Sequence, residues 1–474
     1  MNVYHELGYL RKSKSLLYSA IALSLSVCSL ISLIGSKSFV WDLVSLMCWA
    51  LLVFVGYFVL PEIFTKYLHF WVMSTWAILA VYFLENGNVV LRGEYSYHYG
   101  SLPIYLLSWL IFFSSIFCLE IRHKNRLAKK QDARFSKDQN MEVSVSKPGK
   151  MVMYISYLML ALLVMCFLSI ANKPYFLLDV DRFAYKKIAT PWFVSMLSPW
   201  FYCFIPVVMM TRKRDKKVSL IYLALLGALC VWQGEKFSGL LRMIFYVMIS
   251  VSPQYVGMFV KRHIRKIIKI VAMVVLSLLL IVVAQQILLY DSDLAMLSDY
   301  FEDRLAAQGE LWWLTYRSDV HSGWHLDEIN DEVSIWIHQP DTSDMEDYNF
   351  GIYKLMKKFM NSNWVSYSLP LGIRATEATR AFFFYYGKTA GLVVGQALLG
   401  VLVYFVVSKC SYYSNRNNLL KAVLYLYVLQ GVISAVYMAD FQLLTTKKMF
   451  LVYVFLLVTS KKNVTFGSKL LIQR

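Results

Sequence analysis

Arg304, Gln308, Trp312 and Tyr316 recur four residues apart, a spacing that places them on one face if the stretch is helical. A guanidinium, an amide and aromatic rings on one surface suit a sugar diphosphate. Arginine forks onto phosphate oxygens, and indoles offer an apolar body with a polar edge to a sugar ring. The ordinary alternative is a loop helix held by its own tryptophans. Three further stretches carry similar groups. Arg182 and Tyr185 follow an apolar run, with a snorkelling interfacial arginine as the alternative. Glu235 and Lys236 stand in Gln233–Gly239, so short a turn that both must lie at a membrane edge. A simple hairpin-closing ion pair would explain them too. Arg374 and Arg380 lead into a late apolar run, and ten residues separate Arg380 from Gly391.

These cations could hold the negative charge of such a diphosphate. A proton acceptor is then needed, and Glu310 is the first choice, His321 the second. His321 and His325 could share a helix face. Neither these histidines nor His338 has zinc-site spacing, and no cysteine lies in the same region, so no metal is expected. There is no glycine-rich phosphate loop and no nucleophile elbow, so no cofactor is expected either.

The elements that must position these groups are membrane spans. The 474 residues are 58% hydrophobic and 16% charged, with mean hydropathy +0.50. Soluble domains carry roughly a quarter charged residues. Runs of about 20 apolar residues cross a bilayer as helices, and continuous runs exclude the alternating pattern of a barrel. About twelve spans are expected, starting at Leu16, Phe39, Tyr67, Leu102, Met151, Phe193, Val218, Gly239, Ile270, Phe384, Ala422 and Met449. The fold class is thus all-α and polytopic.

The net charge of +18 is read by position rather than as a nucleic-acid signal. With the N-terminus inside, the basic segments Arg11–Lys14, Arg212–Lys217 and Lys261–Lys269 all fall on the cytoplasmic side, as does Lys461–Arg474. Both termini are expected there. The chain divides into membrane helices within 1–290, a large outer loop at 291–383, and further helices with a cytoplasmic tail at 384–474. Residues 122–150 read as a flexible basic linker. The outer loop holds more than half of the 30 acidic residues. Helical spacing at Asp299–Arg317 and Phe350–Met360, together with its tryptophans, makes it structured.

At these residues the chain resembles the O-antigen polymerases, the Wzy-type polymerases of oligosaccharide repeat units. The matching features are Leu178, Asp181, Arg182, Phe183 and Tyr185 after a span, the turn Gly234–Gly239, and Arg304 through Gln308 to Trp313. The Arg380–Gly391 spacing resembles a motif of periplasmic loops in some members; Phe193 stands where a second copy beginning at Arg182 would need glycine. The resemblance implies an inverting, metal-independent glycosyltransferase of the bacterial inner membrane with a multi-helix (GT-C-like) core. It would transfer an undecaprenyl-diphosphate-linked glycan onto a new lipid-linked repeat unit at the periplasmic face. Arg182, Tyr185, Lys236, Arg304, Gln308, Trp312 and Arg380 would bind substrate. The bilayer and a chain-length regulator would be partners, and nucleic acid would not. An O-antigen ligase and a lipid-linked-oligosaccharide flippase are the rival readings.

Overall fold

A computed structural model describes residues 3–34, 38–87, 90–91, 94–95, 97–135, 150–178, 185, 188–212, 214–235, 237–251, isolated helical positions between 262 and 287, and 293–338, 347–416 and 418–469. In chain order the helices are α1 Val3–Ile34, α2 Phe39–Val59, α3 Pro61–Lys66, α4 Leu68–Asn86, α5 Leu102–Phe135, α6 Lys150–Ile170, α7 Trp192–Cys203, α8 Ile205–Thr211, α9 Lys216–Trp232 and α10 Ser238–Ser250. They continue as α11 Leu294–Ala306, α12 Glu310–Asp319, α13 Ile329–His338, α14 Gly351–Phe359, α15 Ser362–Leu371, α16 Ala378–Asn415, α17 Leu419–Met438 and α18 Lys447–Lys469. Among the described residues the only strands are the antiparallel pair Val90–Leu91 and Glu94–Tyr95.

The chain is an all-α membrane protein. Six helices, α2, α4, α5, α6, α16 and α17, are long and apolar enough to cross a bilayer, and α7 with α8 makes a seventh if the bent pair is one span. Shorter apolar helices cover Leu16–Ile31 and Ser238–Ser250. The run expected from Ile270 falls largely outside the described residues. One boundary is corrected: α5 continues to Phe135, so the first half of the expected linker is helical.

Local chemistry explains the element ends. Asp215 caps α9 by accepting from the amides of Lys217 (3.0 Å) and Val218 (3.3 Å), and Asp293 caps α11 through Met296 (2.8 Å). The 54° bend between α7 and α8 falls where Pro206 enters the first turn of α8. Proline has no amide to donate to Tyr202, four residues earlier, so the ladder breaks there.

The core lies around α5. Trp71, Trp109, Phe112 and Phe113 pack together, with the Trp71 and Phe113 rings 3.7 Å apart and stacked. α16 lies directly on α5, because a Cβ at Gly400 would come within 2.5 Å of the Phe112 carbonyl oxygen. A larger residue would separate the helices. Buried charges in this bundle are matched: Lys66 pairs with Glu120, which also accepts from the Tyr67 hydroxyl at 2.7 Å. An unmatched charge there would cost several kcal/mol.

The long loop forms a helical module, α11 to α15, seated on this core through its own buried cluster of Leu311, Trp313, Ile352, Leu355 and Met356 with Tyr385 and Tyr386.

Candidate functional site

Two polar regions stand out, one in the bundle and one where the loop module meets it.

The bundle region is a cavity of about 170 Å³ lined by Ser195, Ser198 and Tyr202 of α7, Cys230 of α9, Gln233 and Glu235 of the turn, Arg242 of α10 and Gln430 of α17. Helical spacing puts Ser195, Ser198 and Tyr202 on one face of α7. Pro199, also on this wall, has its carbonyl held by the Gln430 amide at 3.0 Å. Gly234 makes the turn at φ 77°, where glycine is favoured. Gly239 then allows a close approach: a Cβ there would lie 2.9 Å from Glu235 Oε2 and 3.0 Å from the Tyr202 hydroxyl. The Tyr202 hydroxyl meets Cys230 Sγ at 2.9 Å, and the Arg242 guanidinium lies 5.8 Å from the centre of the Tyr202 ring. Arg242 Nε is buried and has no hydrogen-bond partner among the described residues. Such a donor is costly to leave unmade. The region is therefore a polar cavity whose wall carries a guanidinium, a carboxylate, hydroxyls and amides.

The junction region is different. Gly309 precedes α12, and a Cβ there would fall 2.9 Å from the Val81 amide nitrogen, so this loop helix lies against α4. Trp312 is fully buried between Tyr105 (5.3 Å) and Phe384 (5.4 Å). Asp319 at the end of α12 pairs with Lys388 and accepts from His325 Nε2 at 3.0 Å. The His325 ring stacks on Tyr385 at 4.3 Å. The Tyr385 hydroxyl donates to Glu328 (2.9 Å), which also pairs with Lys354 at 2.5 Å. Burial works to raise the Glu328 carboxyl, but Lys354 and Tyr385 outweigh it and hold it below its usual range. Glu332 accepts from Tyr386 (2.7 Å) and the Gly351 amide (2.9 Å), and here burial wins and pushes it up. Arg374 pairs with Asp440 at 2.7 Å.

Two residues with left-handed backbone bracket the short helical segment that returns from the loop. Glu377 (φ 59°) precedes it, and Lys388 (φ 50°) follows Gly387 at an internal break of α16. Such conformations persist only where surroundings enforce them. Glu377 is held by Arg380 (2.6 Å) and the Tyr105 hydroxyl (3.0 Å), and Lys388 by Asp319.

The sequence-derived residues distribute across both regions. Arg182 and Lys236 lie outside the described residues. Tyr185 is buried, with its hydroxyl donating to the Lys173 carbonyl at 2.6 Å. Gln308 accepts from the Thr376 hydroxyl at 2.8 Å. The expected single helical face from Arg304 to Tyr316 is broken, because α11 ends at Ala306 and α12 starts at Glu310 to let Gly309 reach α4. Trp312 and Tyr316 still share a face, with rings 5.7 Å apart. Arg304 is exposed, its guanidinium 5.2 Å from the Tyr300 ring centre. Arg380 is fully buried, its guanidinium 3.3 Å from the Trp109 ring centre and bonded to Glu377 and Gln396. Glu310 is buried in the first turn of α12, and His321 is exposed. His321 and His325 do not share a helix, since α12 stops at Asp319. Gly391 lies just past the break, where a Cβ would sit 2.7 Å from the Phe383 carbonyl.

Arg242 and the Asp319–His325 pair escaped the sequence reading. A lone arginine inside an apolar run was the available signal for the first. Nothing local marked the second.

No family model, no curated protein and no solved structure matches the chain.

Proposed function

We propose that this chain is a twelve-span polysaccharide polymerase of the bacterial inner membrane, with both termini cytoplasmic and the α11–α15 module periplasmic. It transfers a glycan from undecaprenyl diphosphate to a new lipid-linked repeat unit. The observation that carries this reading is the Arg242 cavity. It sits at the Gln233–Glu235 turn, which the charge pattern puts on the outer side. A guanidinium there, in low-dielectric surroundings, suits the negative charge that grows on a departing diphosphate. Ser195, Ser198 and Gln233 suit hydroxyl-rich neighbours. Lys236 and Arg304 belong to the same functional proposal as further phosphate contacts.

A ligase that moves the finished glycan to the lipid A core is the second reading. The observation favouring it is His325, which stands at the loop's return to the bundle against Tyr385. One gel of the surface polysaccharide separates the readings. Deleting the gene should leave single repeat units on lipid A. Loss of even the single unit would instead identify a ligase, and lipid-linked units accumulating in the cytoplasmic leaflet a flippase. Arg242→Ala, Lys236→Ala and Arg304→Ala should each reproduce the deletion while the protein stays in the membrane. Normal chains from Arg242→Ala would end the proposal.

A further inference from the structure

The α13 helix has three unlike edges, and two are explained by the fold. Its inner edge carries Glu332, which is buried, and Trp336, whose ring lies 5.0 Å from Phe441 and 6.1 Å from Phe382. Its Asp331, Ser334 and His338 are exposed polar groups, as expected of a face in water. Between these edges runs an apolar strip that nothing among the described residues covers. Val333 is 40% exposed and Ile337 65%, one turn apart on the same face. Leu326 (45%) and Trp324 (60%) extend the exposed apolar surface at the N-terminal end.

The position of α13 says what the strip meets. The Thr445 hydroxyl donates to the Trp336 carbonyl, so α13 rests on the turn Phe441–Leu444 that joins span α17 to the apolar helix α18. Leu443 on that turn is exposed, and so are Phe450 and Leu451 at the start of α18. The apolar strip thus lies on a helix resting against the turn that follows a long apolar helix, a turn that itself carries exposed apolar residues. Lys447 and Lys448, both exposed, stand at the same level, where cationic side chains reach headgroup phosphates.

We infer that α13 is a membrane-surface helix, with Val333 and Ile337 seated among the headgroups and upper acyl chains of the leaflet on the loop side. A helix with one apolar and one polar face lies in this plane, whereas an apolar strip turned to water would be an association hazard. The acidic groups face away from the lipid, and the one on the inner edge, Glu332, is bound to Gly351 and Tyr386. The lipid therefore becomes part of what holds the loop module on the bundle. This conclusion is independent of the reaction the protein performs.

The test uses the full chain in nanodiscs of phosphatidylethanolamine and phosphatidylglycerol. Spin labels are placed at Ile337→Cys and, separately, at Asp331→Cys, which lies on the opposite side of the helix. Wild-type protein treated with the same reagent supplies the background from native cysteines, five of which are buried. The Ile337 label should be relaxed several-fold more by oxygen, which partitions into lipid, than by a water-soluble nickel chelate. The Asp331 label should show the reverse order. Equal nickel access at both positions would put the strip in water and overturn the inference. Exclusion of both reagents at Ile337 would mean that protein covers it, a second copy or another chain, and would overturn it equally. Val333→Cys, one turn away, replaces Ile337→Cys if that variant fails to assemble.

Discussion

The junction beneath the loop module and the cavity beside Arg242 are built from the same residue types and do opposite things with them. At the junction the cations Lys354, Arg374 and Lys388 each meet a carboxylate, and Arg380 meets Glu377 inside the bundle. In the cavity, Arg242 has a buried Nε with no hydrogen-bond partner among the described residues, and the wall around it carries Glu235, serines and an amide. A charge removed from water must be matched, or its site must be made for something that matches it. The comparison teaches that one residue type serves both in direct ion pairs, as Arg374 and Arg380 do, and in the wall of a cavity, as Arg242 does.

Four substitutions or conditions sharpen that contrast. Arg242→Ala should have the largest functional effect, a fall of about 10²–10³ in polymerisation if the group stabilises developing charge, with melting of the purified protein little changed. Arg380→Ala should reverse that pattern. It leaves Glu377 buried without its cation, at a cost of about 3–5 kcal/mol, and the yield of folded protein in detergent should collapse. Equal effects of the two changes on yield would erase the distinction between the regions.

Gly309→Ala comes next. A Cβ in contact with the Val81 backbone should destabilise the docking of α12 by about 1–3 kcal/mol. Limited proteolysis within residues 293–338 should speed up, and unchanged cleavage would show that the contact yields easily. The smallest effect is that of pH. The depressed Glu328 carboxyl contributes stability that is present above its ordinary value of 4.5 and is lost as pH falls through its lower folded value. Glu332 is raised, so its contribution has the opposite sign: it is present below 4.5 and lost as pH rises through its folded value. Acidification below 4.5 should therefore loosen the module in the wild type, and Glu328→Gln should flatten that dependence in thermal melts.

Much of the architecture was legible without a structure. Apolar runs beginning at Phe39, Leu102, Met151 and Ala422 became α2, α5, α6 and α17, because hydropathy alone dictates where a bilayer helix can form. Structure in the outer loop was legible from its tryptophans. Less visible was where helices stop: α5 runs on through basic residues to Phe135, and the stretch from Asp299 to Arg317 divides at Gly309. The first is a case of charged residues with good helix propensity. The second depends on a contact with α4 more than two hundred residues away in sequence.

Composition and order of residues, by themselves, determined that this chain lives in a membrane, that it is helical, and that it holds one large structured loop. These follow from transfer free energies and hydrogen-bond satisfaction, which act on each segment separately. Only the tertiary structure decided which cations are held in direct ion pairs and which line a cavity. Arg304, Arg374, Arg380 and Arg242 are the same residue in the sequence, and their difference lies wholly in what the fold places within a few ångströms of each guanidinium.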